Sequence, residues 1–394
     1  MRLLVVCPYF YPRAGGLENY AYNISKRLEQ KYGVNSVVVC SHWDNQPLLK
    51  ECIDGIQVYR LPYGFKVSST PVNLLWKRTL SAIIEKEKPD FVNGHIPVPY
   101  IADVAARIAK QREIPFILTY HNDLTGSNPL VEVLSRCYYK FMGNATLDIA
   151  QTLIITSQHY GMTSSHLRKY LPKQKVVPPG VDTDRYQARS SNILQEKYNI
   201  LNEKTVLFVG QLNRESMHKG LHYLMKAIQD ANKKMPVKLI VAGRGNYLTQ
   251  YREYAREEKI DHRVVFTGYV PEEELIELYS ACDLVVLPSY TRAEGFGMVL
   301  LEAQACGTPV IGSNVGGISC AMKDGETGLL VPPKDTQRLS RAITDLLEDD
   351  ALMRKMGLEG MKRVRDEFTW ERSAQTYYSI LSEVADKIGR RPAL

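Results

Sequence analysis

Two glutamates eight positions apart, Glu294 and Glu302, flank a Gly295-Phe296-Gly297 turn and an apolar helix start at Met298. The run Asp283 to Pro288 ahead of them reads as a buried strand, and Met298 to Cys306 reads as a helix ended by Gly307. In a strand, glycine loop and helix of this kind, the first helical amides have no intrahelical acceptor and point into the loop. That is a site for an anion, and a diphosphate suits it. Glu294, in the loop, can reach a sugar hydroxyl. Glu302, inside the helix, can accept from two adjacent ribose hydroxyls. A phosphate site flanked by two hydroxyl acceptors matches the chemistry of a nucleotide-sugar.

Other loops carry compatible residues. Gly15 and Gly16 open a helix after the first strand, where two glycines let a ligand approach the backbone and the helix start favours an anion. Lys219 beside Gly220 suits a diphosphate, and Arg214 can add a bidentate hold. Gly243-Arg-Gly245 lacks the third glycine of a dinucleotide fingerprint, which argues against a nicotinamide or flavin site. Gly243 is grouped with the donor-side glycines. His121 ends the strand Pro115 to Tyr120, a place where a histidine is more often structural than catalytic. His95 is left as structural or acceptor-side.

Elements that must position these residues follow from the hydrophobic pattern. Short apolar runs (Leu3–Cys7, Ser36–Cys40, Asp90–Asn93, Pro115–Thr119, Thr152–Thr156, Lys175–Val177) alternate with helical stretches such as Leu17 to Lys31 and Pro99 to Lys110. After Pro178-Pro-Gly180 the alternation restarts with Thr205–Val209, Val237–Ala242, Arg263–Thr267, Asp283–Leu287, Thr308–Ile311 and Gly328–Val331. Such βα alternation predicts an α/β fold of two Rossmann-like domains, residues 1–183 and 184–370, facing an interdomain cleft. Beyond Thr336 the pattern is helical.

Taken together, these landmarks resemble the retaining glycosyltransferases of the GT-B fold, of the family 4 (group 1) type with its Glu-x7-Glu motif. Thr119-Tyr-His121 matches that family's Thr-x-His, and Pro178-Pro-Gly-Val-Asp182 its interdomain Pro-Asn-Gly-Val-Asp. The likeness spans nearly the whole chain and is strongest from about 205 to 335. It implies a donor site of Gly15, Gly16, Gly243, Phe296, Gly297, Met298 and Glu302. Catalytic roles fall to His121, Arg214, Lys219 and Glu294. It also implies a final helix, about 371–394, that crosses back onto the first domain. The expected reaction moves a hexose-type sugar from a UDP- or GDP-linked donor to a hydroxyl acceptor, with no metal and no cofactor beyond the nucleotide-sugar co-substrate. Cell-envelope polysaccharide or glycolipid synthesis is the implied setting. Two departures stand out: Gln211 replaces the usual arginine of Gly-Arg-Leu, leaving Arg214 as its substitute, and Cys320 replaces the glutamate of Gly-Gly-Ile-x-Glu. These substitutions are the only support for the alternative, a non-catalytic nucleotide-sugar sensor or assembly protein.

Composition narrows the classes further. The 394 residues, 44% hydrophobic and 24% charged, are typical of a globular chain, and no apolar run is long enough to span a bilayer. Without a recognisable signal peptide, a cytoplasmic protein is expected. Seven cysteines show no metal-ligand spacing and read as reduced thiols. Charge is uneven. Residues 1–180 carry 21 Lys and Arg against 13 Asp and Glu, whereas the rest carry 29 against 30. A basic first half suits an anionic partner, and each of the segments Phe65–Arg78 and Leu130–Met142 fits either of two readings: an interfacial helix that rests on an anionic membrane and admits a lipid-linked acceptor, or a stretch core-facing on one side and solvated on the other. Nucleic acid is excluded for want of any recognition motif.

Overall fold

The computed structural model describes residues 1–13, 15–67, 70–124, 129–387 and 389. The chain forms two units, Met1–Gly180 with the segment from Trp370 onward, and Val181–Thr369.

The first unit is built on ten strands: β1 (Arg2–Val6), β2 (Asn35–Ser41), β3 (Leu49–Ile53), β4 (Ile56–Leu61), β5 (Phe65–Val67), β6 (Thr70–Val72), β7 (Phe91–Ile96), β8 (Phe116–Tyr120), β9 (Thr152–Ile155) and β10 (Gln174–Val176). Eight of them make one sheet in the order β10-β9-β8-β7-β1-β2-β4-β3, parallel except for β3 against β4. Leu3 pairs with Ser36 on one side and Phe91 on the other, so β1 lies at the centre. Continuous apolar runs suit strands covered on both faces, and Leu4, Val6, Val37, Val39 and Leu118 are almost completely buried. Each such side chain contributes roughly 1.5–3 kcal/mol of burial.

The helix Gly16–Tyr32 ends where Gly33 turns left-handed, at φ 60°, and caps the carbonyls of Leu28 and Glu29. The last helix, Trp370–Lys387, packs along it in the same unit. Arg27 Nε meets Glu371 Oε1 at 2.7 Å, Tyr32 stacks on Tyr378 at 4.4 Å, and the Ser373 hydroxyl donates to the Pro178 carbonyl at 2.7 Å.

The second unit is a six-stranded parallel sheet: β11 (Lys204–Val209), β12 (Val237–Ala242), β13 (Val264–Gly268), β14 (Leu284–Leu287), β15 (Val310–Ser313) and β16 (Gly328–Val331), ordered β13-β12-β11-β14-β15-β16. The chain leaves β11 toward β12 and later returns to its other side as β14. The strand order therefore reverses between β11 and β14, the place where open α/β sheets bind ligands beyond their carboxyl ends.

One expectation needs correcting. Among the described residues of the stretch 65–78 there is no single helix. β5 pairs antiparallel with β6, and a helix starts at Trp76, whose ring is buried in the core of this unit. Leu130 to Met142 is helical, as an α-helix, Pro129–Tyr138, followed by a π-helical turn, Tyr139–Gly143; the Tyr139 ring lies in the core, and Val133, Leu134 and Phe141 are exposed. Among the described residues, no helix is long and apolar enough to cross a membrane.

The helix Asp350–Glu367 braces the second unit by close approach. A Cβ on Gly357 would lie 2.1 Å from the Gly307 carbonyl oxygen, at the end of the helix Met298–Ala305. Alanine is favoured over glycine in a helix by about 1 kcal/mol, but overpacking of this kind costs about 1–3 kcal/mol. Gly357→Ala should therefore lower the urea midpoint of unfolding. A raised midpoint would show that the two elements are not in contact.

Candidate functional site

Lys219 follows β11 and Glu294 follows β14, so the reversal of strand order brings them together. Lys219 Nζ donates to Glu294 Oε2 at 2.8 Å, and the Ser289 hydroxyl donates to the same oxygen at 3.2 Å. Glu294 is 9% exposed. Burial alone would raise its pKa. The charge and hydrogen bond of Lys219 outweigh that, with His218 and Ser289 assisting, and hold the carboxyl below its ordinary range. The Glu294 carboxylate is thus ionised at neutral pH.

Glycines allow the surrounding loops to close on one another. Gly220, at φ 77°, would place a Cβ 2.1 Å from the Pro288 carbonyl oxygen, and Gly317 one 2.1 Å from the Gly295 carbonyl oxygen. The loops after β11, β14 and β15 are therefore in backbone contact around the ion pair. Gly297, left-handed at φ 86°, turns the chain into the helix Met298–Ala305. Phe296 is buried against Phe368, ring centroids 5.7 Å apart, so its side chain anchors the turn. What Phe296, Gly297 and Met298 can offer a ligand is the helix-start backbone.

One turn into that helix, Glu302 accepts a hydrogen bond from the Tyr279 hydroxyl at 2.7 Å. Burial lifts its carboxyl to about 7. Tyr279 and Lys219 pull it down, and Glu272 adds to the rise. The two glutamates thus sit in opposite electrostatic settings: Glu294 is paired with a cation, and Glu302 is next to a phenol.

Arg214 begins the short 3-10 turn Arg214–Lys219, and its side chain is exposed. Among the described residues it forms no ion pair, so it is not drawn to Glu294 as Lys219 is. Its backbone amide donates to Asn246 Oδ1 at 3.3 Å. Gln211 is also exposed. Gly243, at φ 156°, lets the loop after β12 close on β11, since a Cβ there would lie 1.8 Å from the Gly210 carbonyl oxygen.

The first unit gathers Gly15, Gly16 and His121 at the carboxyl ends of its central strands. Gly15 is extended (φ 177°) and precedes the helix Gly16–Tyr32. A Cβ on Gly15 would strike the Glu18 carboxylate at 2.1 Å, and the space at Gly16 is open. His121 follows β8 and is 8% exposed. Its Nε2 lies 2.9 Å from Nδ1 of His95, at the end of the neighbouring strand β7. Tyr20 packs edge-on against the His121 ring at 5.0 Å. Burial lowers the His121 pKa to about 3, and burial with the neighbouring ring lowers His95 well below its usual value. Both rings are neutral at pH 7, one donating a hydrogen bond to the other.

Sequence alone points to His95 as structural or acceptor-side, but not to two other neighbours of the site, Ser289 and Tyr279. Ser289 and Tyr279 each hold one of the motif glutamates, and His95 partners His121. Ser289 directly follows the strand-end Pro288, a signal that could have drawn attention to it. Tyr279 lies 23 positions before Glu302, and no local pattern links them.

Comparison with known proteins places this geometry. Residues 190–363 match the family described as glycosyl transferases group 1, and residues 14–185 match glycosyltransferase family 4. The fold is like that of sucrose-phosphate synthase from Thermosynechococcus elongatus, with a TM-score of 0.77 at 24% identity, covering 98% of this chain and 99% of that one. It is the GT-B fold of two Rossmann-like units. Over 405 residues the chain is 33% identical to the GDP-mannose-dependent alpha-(1-6)-phosphatidylinositol monomannoside mannosyltransferase of Mycolicibacterium smegmatis, covering 99% of both. It is 27% identical to O-antigen chain mannosyltransferase C of Escherichia coli, covering 98% of this chain and 99% of that protein. The chain belongs to the group 1 glycosyltransferases and is an enzyme of that class.

The raised pKa of Glu302 has a consequence for the unliganded protein. Its folded-state value lies above the unfolded value near 4.3, so the stability it contributes is complete at low pH and is lost as pH rises through about 7. Glu302→Gln, uncharged throughout, should melt at a higher temperature than the parent at pH 8, and the two should converge near pH 4. A gap of equal size at both pH values would contradict this assignment.

Proposed function

We propose that this enzyme transfers a hexose-type sugar from a UDP- or GDP-linked donor to a hydroxyl acceptor, with retention at the anomeric carbon and without a metal. The observation that carries the reading is the Lys219–Glu294 pair at the strand-order reversal, directly before a helix start. A diphosphate there meets the helix-start amides and Lys219, whose charge offsets what develops on the leaving oxygen as the glycosidic bond breaks. Glu294 holds donor-sugar hydroxyls beside the oxocarbenium-like centre, and Glu302 holds the ribose. Arg214 is free to swing onto the diphosphate when donor binds. The mannosyltransferase from Mycolicibacterium, GDP-mannose-dependent by name, supports a donor of this class.

The acceptor belongs to the first unit. His121 and His95 are neutral, and a base of pKa about 3 is too weak to take a hydroxyl proton efficiently. His121 therefore serves as a hydrogen-bonding group. The acceptor hydroxyl attacks the face that the phosphate leaves, the new C–O bond forms as the old one breaks, and the proton passes to the departing diphosphate oxygen.

A lipid-linked acceptor, in cell-envelope glycolipid or polysaccharide synthesis, is the form favoured by the surface. Phe65, Val67, Leu74 and Leu75 are exposed beside Lys66, Lys77 and Arg78. Apolar side chains among cations suit the interface of an anionic membrane on the cytoplasmic side.

The test is a panel of UDP-, GDP- and ADP-sugars assayed by mass spectrometry for slow donor hydrolysis, with and without chelator. One nucleoside diphosphate should be released, insensitive to chelator. Glu294→Gln and Lys219→Ala should each lose about two orders of magnitude in kcat while remaining folded. Tight donor binding with no turnover under any acceptor would favour the non-catalytic sensor, and full activity in Glu294→Gln would remove that residue from the mechanism.

A further inference from the structure

The helices Glu272–Ala281 and Met298–Ala305 pack against each other in the second unit, and Tyr279 on the first meets Glu302 on the second. The Tyr279 ring is wholly buried in one apolar cluster with Ile276, Leu300 and Ala303, and the Thr308 hydroxyl donates to its backbone carbonyl. So enclosed a phenol needs an acceptor for its proton, and Glu302 Oε2 supplies one at 2.7 Å. Burial and the neighbouring carboxylate hold the phenol well above its usual pKa, so it stays a donor.

Glu302 itself is only half-buried. Among the described residues its Oε1 has no hydrogen-bond partner and its carboxylate forms no ion pair. A free glutamate side chain is spread over several rotamers, and a ligand that orders it loses affinity to that entropy. Tyr279 does the ordering in the empty protein, by holding one oxygen and leaving the other to accept. The titratable groups that face the carboxyl are Tyr279 and Glu272 from one helix, Lys219 from the loop after β11, Tyr186 from the segment after Val181, and Cys306 at the end of its own helix. Burial keeps Tyr186 and Cys306 neutral, the thiol pushed up to about 12. Glu272 is exposed, pairs with Arg185 at 2.6 Å and accepts from the Tyr186 hydroxyl at 3.0 Å. Burial above all lifts Glu302 to about 7; Tyr279 pulls it down, Glu272 adds to the rise and Lys219 opposes it.

We infer that Tyr279 is a positioning residue for the donor: it fixes Glu302 by one oxygen so that the other accepts from the adjacent ribose hydroxyls, and it thereby makes the site select ribose over deoxyribose nucleotides. The inference rests on the transferase reading, in which Glu302 holds the ribose. A hydroxyl donates more strongly to a carboxylate than to a neutral carboxyl, so ribose binding favours the ionised form of Glu302. Donor binding therefore releases a proton below about pH 7 and none well above it. A deoxyribose, with one hydroxyl fewer, loses part of both effects.

The full-length protein is titrated by calorimetry with GDP-mannose, UDP-glucose and ADP-glucose, and with the 2′-deoxyribose form of whichever binds, from pH 5 to 8.5. The diphosphates of these donors do not titrate in that range, so the profile reports the protein. The parent should bind the ribose form about tenfold more tightly than the deoxyribose form, with affinity rising up to about pH 7 and level above it. Tyr279→Phe keeps the ring and removes only the hydroxyl. It should cut the ribose preference to about twofold and move the levelling-off to higher pH, because the ionised carboxylate has lost a donor. Glu272→Gln, on the exposed surface, should move it to lower pH and keep the preference. A merely structural hydroxyl would lower the melting temperature of Tyr279→Phe and leave both the preference and the pH midpoint of binding unmoved, which would overturn the inference. Should Tyr279→Phe fail to fold, a Glu272→Gln profile identical to the parent's would overturn it instead. Glu302→Gln keeps the two readings apart. If Glu302→Gln loses the preference and Tyr279→Phe keeps it, Glu302 holds the ribose unaided and this inference alone fails. If Glu302→Gln keeps the preference too, Glu302 does not hold the ribose and both readings of it fail. Absence of binding by all three donors removes the nucleotide site, and the inference with it.

Discussion

The contact on which the second unit's site depends is the Lys219–Glu294 ion pair. It ties the loop after β11 to the loop after β14, across the one position where the order of the sheet reverses. Neither charge would be tolerated easily alone in so enclosed a place, because an unpaired buried carboxylate must pay for lost hydration. Paired, each fixes the other. Ser289 takes up part of the remaining hydrogen-bonding capacity of Glu294, and the stem of Lys219 lies along Gly210, where a Cβ would come within 2.9 Å of it.

Around that pair, the protein uses glycine where backbone must meet backbone and aromatic rings where a turn must not move. Gly220 and Gly317 admit carbonyl oxygens that any side chain would exclude, while Phe296 pins the turn between the two glutamates against Phe368. The helix carrying Glu302 is braced in turn by Gly357 and by the buried Gln304, whose amide donates to the carbonyls of Leu300 and Ala321. Rigid support of this kind is what electrostatic stabilisation of a leaving group requires, since dipoles that must first reorganise give little. In the first unit the equivalent device is neutral. Two buried imidazoles share a proton donor and acceptor at 2.9 Å, and Tyr20 walls one side.

Much of this was legible because parallel strands buried on both faces write themselves as continuous apolar runs. β1, β2, β11, β12 and β14 all read that way, and the glycine-rich loops after them follow directly. The strands β3 and β4 were missed for the complementary reason. β3 is an edge strand that reads Leu-Lys-Glu-Cys-Ile, and β4 contains Arg60, which is fully buried although its type suggests surface. Its cost is met by Glu51 and the Tyr11 carbonyl, partners that only the folded sheet supplies. The strands β5 and β6 lie in a stretch, Phe65–Arg78, whose mix of apolar and cationic residues mimics an amphipathic helix. The pairing of His95 with His121 and of Tyr279 with Glu302 lies beyond any local pattern, since each depends on strand or helix neighbours distant in sequence.

The most direct test of the central claim is a double-mutant cycle on Lys219 and Glu294, read as kcat for donor turnover with Lys219→Met, Glu294→Gln and their combination. Residues that act as one unit are strongly non-additive, so the double variant should be about as impaired as either single variant. If the two losses instead multiply, the residues contribute independently, and the ion pair is not what organises the site.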